Sequence, residues 1–219
     1  MSLKDHTVKS YDNELQSIAE TLDLTVSLIF QSLDMISSAI NNHDHKLAQN
    51  IVDHDYKINT LDHLIEKKVT TILALRQPMA VDLRYIISSL KVSSNLERIG
   101  DQAKNIIKKI SLLEGYNFDI KVKEWLTQMI SISKNMVQNA VLSFNSHNLD
   151  LAQQVLAQDD IIDQTYGNFF SLINKENFHK VEVNQIIHTL FIAKSFERLA
   201  DHSTNIAEIT GFVITGEIK

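Results

Sequence analysis

The chain has 219 residues, of which 44% are hydrophobic, with one Pro, five Gly and no Cys. This length can bury a sizeable core, and so few Pro and Gly residues favour a small number of long helices over many short strands. The lack of Cys excludes disulfides and thiolate chemistry, and the net charge of −6 argues against nucleic acid as the main partner.

The N-terminal segment does not have the pattern of a secretory signal. It carries Lys4, Asp5 and Lys9, and no apolar stretch follows at once. Uncharged apolar runs such as residues 24–33 are much shorter than the ~20 residues that a membrane-spanning helix needs. We therefore expect a soluble, cytoplasmic protein.

Apolar residues at helical spacing predict three long helices in the first half of the chain. The first ends near Asn41-Asn42, and the second stops before Arg76-Gln77-Pro78, because the residue before a proline resists helix. Asp44 is placed to cap the second helix. Asp82 is placed to cap a third helix, which ends near Gly115.

The second half of the chain repeats the first. Helices are predicted over roughly residues 121–144, 150–173 and 182–215. Asp55 aligns with Asp159 at an offset of 104 residues, whereas Glu97 aligns with Glu197 at an offset of 100. The sequence therefore predicts an all-α fold of two tandem three-helix units, residues 1–116 and 117–219.

One row of polar side chains occurs in the third helix of each unit. In both copies Glu, Asp and Asn stand at i, i+4 and i+8, on a helix face about opposite an apolar stripe. A solvated face is the ordinary explanation, but solvation does not require the same side chains in the same order. The rows are Glu97, Asp101 and Asn105, and Glu197, Asp201 and Asn205. The stripes are Val92, Leu96, Ile99, Ala103, Ile106, Ile110 and Leu113, and Ile192, Phe196, Leu199, Ser203, Ile206 and Thr210.

A second acidic pair precedes each row. Asp159 and Asp163 of the fifth helix align with Asp55 and Asn59 of the second helix. On a helical projection these positions lie at the edge of the apolar stripe, where a carboxylate is partly desolvated and needs compensation. A cationic side chain such as Arg98 would compensate it from within the protein, and a metal ion would do so from outside. The spacing leaves both explanations open.

Carboxylates from two neighbouring helices suit hard cations such as iron, manganese, magnesium or calcium more than copper. A ferritin-like oxidase is disfavoured, because it needs Glu-x-x-His on two helices and the chain has only Glu176-Asn-Phe-His179, in a predicted loop. No Gly-rich phosphate loop or activated nucleophile stands out. His54 and His202, next to Asp55 and Asp201, are candidates to support ligands, although core or surface histidines are the commoner case.

Three segments together resemble the PhoU family of phosphate-signalling proteins, over essentially the whole chain. They are Leu75-Arg-Gln-Pro-Met-Ala-Val-Asp-Leu-Arg84, Glu97-Arg-Ile-Gly-Asp101, and Glu197-Arg-Leu-Ala-Asp201 with the following His202 and Asn205. The resemblance implies a pair of three-helix bundles that hold multinuclear metal clusters, commonly of iron or zinc, with manganese or magnesium as alternatives. The implied ligands are Asp55, Asn59, Glu97 and Asp101 at one cluster, and Asp159, Asp163, Glu197 and Asp201 at the other.

The first of these clusters departs from the family pattern at two positions. Asn59 stands where the second unit has Asp163, and Asn95 stands where many relatives have Asp two positions before the Glu. A neutral amide donates an oxygen but no charge. We therefore expect the first site to hold cations more weakly than the second.

The resemblance further implies a non-catalytic negative regulator of the phosphate-starvation response and of phosphate uptake. Such a protein links the ATPase subunit of a phosphate ABC transporter to a membrane sensor histidine kinase, often as a homodimer, and meets the membrane only through these partners. Two alternatives stay open. One is a metal-dependent phosphoester hydrolase that uses the clusters as Lewis acids, and the other is a structural helical scaffold whose acidic faces are simply hydrated.

Overall fold

The computed structural model describes residues 3–42, 47–113, 118–175 and 183–217, and this part of the chain contains six long helices and no strand. The helices are α1 (Leu3–Asn42), α2 (Leu47–Arg76), α3 (Ala80–Ser111), α4 (Ile120–Ser146), α5 (Leu149–Lys175) and α6 (Val183–Thr215). The predicted all-α class is confirmed. Asp44, Gly115 and the segment 176–179 lie outside the described residues. None of the described helices carries an apolar stretch long enough to cross a membrane.

The third helix of each unit lies at its centre. In the first unit α1 and α2 pack on α3, and in the second unit α4 and α5 pack on α6. The two units meet where α3 packs along α6, which is the most extensive helix pair, and where α1 contacts α4. Every residue of the two predicted apolar stripes is buried, including the polar Ser203 and Thr210 of α6.

The central helices bury more than one stripe each. On α3, Ile86, Ser89 and Ile107 are buried outside the predicted stripe, because α3 has helices on two sides. The acidic row is consequently partly covered: the side chains of Glu97 and Glu197 are only 20% and 17% exposed. The helical projection allowed for one packed face only, so it did not anticipate that a second neighbouring helix would partly cover these two residues.

The connection into α3 differs from its prediction. α3 starts at Ala80, after an extended Met79 that makes no side-chain cap, so the expected capping role of Asp82 is wrong. The cause is the turn after Pro78, where Ala80 enters the helix with a φ of +50°. Asp82 instead lies in the first turn and accepts a hydrogen bond from the Tyr11 hydroxyl of α1 at 3.1 Å. At its other end α3 finishes at Ser111, about one turn before the predicted position.

Two side chains connect neighbouring helices by hydrogen bonds to backbone carbonyl groups. Arg84 Nε donates to the carbonyl oxygen of Val213 at 2.8 Å, which joins the start of α3 to the end of α6. In the second unit Trp125 of α4 donates from Nε1 to the carbonyl oxygen of Thr165 at 2.6 Å. The Trp125 ring also stacks on Phe169 of α5 with ring centroids 4.7 Å apart.

Gly100 allows α3 to approach α2 closely. A Cβ on Gly100 would lie 2.9 Å from Cδ1 of Ile58, a buried residue of α2. We expect Gly100→Leu to lower the free energy of unfolding by about 1–3 kcal/mol through overpacking, measured by urea denaturation. Gly167→Leu on the exposed side of α5 is the matched control, because a Cβ there meets no atom within 4 Å. Equal stabilities of the two variants would contradict this account.

Candidate metal centres

The acidic residues fall into two sets, each between the second and third helix of one unit. The first acidic set comprises Asp55 and Asn59 of α2 with Glu97 and Asp101 of α3. The second acidic set comprises Asp159 and Asp163 of α5 with Glu197 and Asp201 of α6. Helix pairs α2–α3 and α5–α6 are packed against each other, so the predicted partners lie on adjoining helices in both units.

Carboxylates of the second acidic set act on one another across the α5–α6 pair. Burial, together with the charges of Asp163, Asp201, Asp160 and Glu197, raises the pKa of Asp159 to about 6. Burial also raises the pKa of Asp201, and Glu197 adds to that effect. Asp159 and Glu197 are half-buried and Asp163 and Asp201 are exposed, so the set places mutually repelling oxygen donors along the junction of the two helices.

Little positive charge balances the second acidic set. Lys194 Nζ lies 2.5 Å from Oε2 of Glu197. Within the described residues, no Lys or Arg comes within 4.0 Å of a carboxylate oxygen of Asp159, Asp163 or Asp201. An oxygen-rich set in which one ammonium pairs with only one of four carboxylates fits a hard cation such as iron, manganese or magnesium, and carboxylates also serve zinc.

The first acidic set contains its own cation. Lys104 Nζ donates to Oδ2 of Asp55 and to Oδ1 of Asp101, both at 2.6 Å. Burial alone would lower the pKa of Lys104, but the hydrogen bonds to Asp101 and Asp55 outweigh burial and raise it. Since an ammonium already holds two of the carboxylates, the first set as it stands does not fit a metal cluster.

Arg98, the internal cation suggested by the sequence, has a smaller part. It lies 3.3 Å from Oε2 of Glu97 and 3.4 Å from Oδ2 of Asp101, with its side chain 58% exposed. Such an exposed pair contributes little, on the order of 0–1 kcal/mol. The cation that pairs with Asp55 is thus Lys104, and the ion pairs of Arg98 are with Glu97 and Asp101.

Asp62 is a further acidic residue at the first set that the sequence reading missed. Its Oδ1 accepts a hydrogen bond from Ser93 Oγ of α3 at 2.6 Å. Burial raises the pKa of Glu97, and Asp62 contributes to the increase. Asp62 stands seven residues after Asp55, two helical turns along the same face, so the spacing contained the signal.

One compact group of metal-type ligands occurs in the described part of the chain. Ligand atoms of Asp62, His63 and Glu66 lie within 4.8 Å of one another. His63 and Glu66 are 77% and 60% exposed, and exposed acidic groups of this kind are common without an ion. No three carboxylates of either acidic set come that close, so the carboxylates of both sets are more widely spaced than those of a filled coordination sphere.

The remaining polar candidates connect helices. Asn95 Oδ1 accepts a hydrogen bond from Asn205 Nδ2 at 3.2 Å and lies 3.0 Å from His202 Nδ1, which joins α3 to α6. His54 is buried in the core, and its Nδ1 lies 3.1 Å from Ser32 Oγ of α1. Both histidines therefore have contacts that explain them without a metal.

Comparison with known proteins finds the same domain twice in the chain. A PhoU domain matches residues 14–110 and residues 126–210, one in each predicted unit. A phosphate-specific transport system accessory protein PhoU homolog from Caulobacter vibrioides is 35% identical over 216 residues, which cover 98% of this chain and 94% of that one. A protein of the same description from Clostridium acetobutylicum is 33% identical over 213 residues, which cover 96% and 97% of the two chains.

Two solved structures share the six-helix architecture. PhoU from Pseudomonas aeruginosa superposes with a TM-score of 0.83 at 27% identity, covering 94% of this chain and 100% of that one. The phosphate transport system regulatory protein PhoU from Streptococcus pneumoniae gives a TM-score of 0.84 at 27% identity, covering 95% and 99%. The predicted pair of repeats is confirmed. The boundary at residue 116 stays a prediction, because residues 114–117 lie outside the described part.

The charge on Asp159 should destabilise the metal-free protein. The pKa of Asp159 is raised to about 6 in the folded chain, against about 4 in the unfolded chain, so its ionisation opposes folding as the pH rises above about 4, and fully so above about 6. We expect Asp159→Asn to raise the Tm of chelator-treated protein at about pH 8 by roughly 2–4 °C. This gain should vanish as the pH falls below about 4.

Scanning calorimetry across this pH range measures the effect. Asp160→Asn, at the exposed neighbouring position, is the control and should give a smaller gain. A Tm of Asp159→Asn at or below that of the unsubstituted chain at the higher pH would contradict the charge repulsion described for the second acidic set.

Proposed function

The chain belongs to the PhoU family, and on that premise we propose that it is a phosphate-transport accessory protein that negatively regulates phosphate uptake and the phosphate-starvation response. The observation that carries the proposal is the match along the whole chain to accessory proteins of phosphate-specific transport, at 35% identity over 98% of its length for the Caulobacter relative. The match includes both units, which supports a role that involves the whole protein.

The proposed partners are the ATPase subunit of the phosphate ABC transporter and the sensor histidine kinase of the phosphate response. In this proposal phosphate availability decides which partner the protein contacts, and the kinase is silent while the transporter is saturated. The protein acts without catalysis and forms a homodimer. The protein provides a binding surface for its partners, formed by the polar faces of the long helices in the two units.

The second acidic set is the proposed metal site. Asp159, Asp163, Glu197 and Asp201 would hold iron or zinc, with manganese or magnesium as alternatives. The support is chemical: partly desolvated carboxylates from α5 and α6 repel one another, and few cationic side chains balance them. A bound cation would supply the positive charge that relieves this repulsion, and the four side chains would hold it.

Partner binding is tested by co-purification with the tagged chain from cells grown in high and in low phosphate. We expect both the transporter ATPase and the kinase to be captured, in proportions that change with phosphate. Capture of neither protein in either condition would contradict the regulatory proposal. The hydrolase alternative is measured in parallel, as turnover of a generic phosphate ester with added manganese or iron. A metal-dependent rate that Glu197→Ala with Asp201→Ala abolishes would favour the enzyme.

Metal content is measured by elemental analysis of protein purified without chelator or nickel affinity resin. We expect stoichiometric metal in the unsubstituted chain and its loss in the Glu197→Ala, Asp201→Ala variant, because two of the four proposed ligands are removed. The control is His63→Ala with Glu66→Ala, which dismantles the exposed group on α2 and should leave the metal in place. Loss of metal in the control variant instead would place the ion on α2. A protein that is only a scaffold with hydrated acidic faces would bind no metal in any variant.

A further inference from the structure

The two acidic sets differ in the residue three positions after the second carboxylate of the row. In the first unit this residue is Lys104, and at the equivalent position of the second unit, 100 residues later, it is Thr204. Thr204 Oγ1 donates to the carbonyl oxygen of Asp201 at 2.7 Å and brings no charge. The first set also has Asn59 where the second has Asp163. At these two aligned positions the first set therefore has an amide where the second has a carboxylate, and an ammonium where the second has a hydroxyl.

The Lys104 ammonium bridges two carboxylates that lie on different helices. Its Nζ bonds one carboxylate on α2 and one on α3, both at 2.6 Å. The side chains of Lys104, Asp55 and Asp101 are 20%, 11% and 26% exposed, so solvent screens the contact only in part. The ammonium thus neutralises charge on both helices and fixes their separation, which is the physical role that a metal would have at this place.

We infer that Lys104 is a built-in counter-ion that takes the place of metal at the first acidic set, so that the chain has one metal centre, at the second set, and not two. A divalent cation between Asp55 and Asp101 would lie against the Lys104 ammonium, and the two like charges would repel each other. The inference rests on the proposed metal site for the second set. The role of Lys104 at the first set stands on the contacts of Lys104 alone.

Lys194 does not give the second set an equivalent counter-ion. It pairs with Glu197, four positions before Asp201 on the same helix, and its side chain is 43% exposed. It lies above the ring of Tyr166 on α5 at 5.9 Å from the centroid. Its ion pair therefore stays within α6, whereas Lys104 joins carboxylates of two helices.

The test begins with the Glu197→Ala, Asp201→Ala variant, in which the second set is disabled and the first set is intact. This protein is titrated with Mn²⁺, passed through gel filtration and analysed for bound metal. We expect none. Stoichiometric Mn²⁺ that disappears when Asp55→Ala and Asp101→Ala are added would overturn the inference, because the first set would then bind metal with Lys104 in place. This arm changes nothing at residue 104.

The second arm adds Lys104→Thr and Asn59→Asp to the same background, which gives the first set the residues of the second set at these two aligned positions. We expect the protein to gain stoichiometric Mn²⁺. Lys134→Thr in place of Lys104→Thr is the control, because Lys134 pairs with the exposed Asp34 and should confer no binding. Failure of the Lys104→Thr, Asn59→Asp protein to bind Mn²⁺, with its helical circular dichroism intact, would also overturn the inference.

Thermal stability gives a readout apart from metal content. Lys104→Thr alone, in chelator, should lower the Tm by on the order of 5 °C because it leaves the Asp55 carboxylate without its partner. In the Glu197→Ala, Asp201→Ala background, where Mn²⁺ cannot act through the second set, Mn²⁺ added after removal of the chelator should restore this loss. An unchanged Tm would contradict the role of Lys104. A chain that lacks metal at the second set, but gains it at the first with Lys104→Thr and Asn59→Asp, would reject the proposed metal site and leave the inference about Lys104 standing.

Discussion

α3 and α6 are each buried against their own unit on one side and against each other on another, which leaves only a narrow flank where polar side chains can lie. The acidic rows occupy that flank, next to α2 in the first unit and α5 in the second. Carboxylates at such a position are partly removed from water, and a partly desolvated charge is costly unless an opposite charge meets it. The electrostatics of both acidic sets therefore follow from how the central helices pack.

The two units answer the same constraint differently. In the first, the flexible side chain of Lys104 reaches from α3 to Asp55 on α2, and the balancing charge is part of the polypeptide. In the second, Thr204 stands at the equivalent position and the carboxylates around Asp159 stay largely unbalanced. A duplicated fold has thus kept its shape while its two charge-bearing flanks have diverged. That divergence is visible only when equivalent residues of the two units are compared one by one.

Features that recur along one helix could be predicted from the sequence, whereas contacts between side chains of two helices could not. The stripes on α3 and α6 were predictable because burial recurs at helical spacing, and the duplication was predictable because Glu97 and Glu197 head the same motif. The predicted capping role of Asp82 was wrong because the residue types around Pro78 do not reveal the backbone turn that starts α3 at Ala80. The role of Lys104 was missed because its partner Asp55 lies on another helix, and helical periodicity carries no information about contacts between helices. The alignment of Lys104 with Thr204 did, however, show a difference between the two units.

Trp125 is the one tryptophan of the chain, and it lies buried between α4 and α5, bonded to the backbone two residues beyond Asp163. Its fluorescence emission therefore reports the second unit, whereas far-ultraviolet circular dichroism averages over all six helices. If the units unfold together, the two spectroscopic transitions coincide; if they unfold separately, they do not. The protein thus carries an intrinsic optical reporter on the helix pair next to the second acidic set, with no label required.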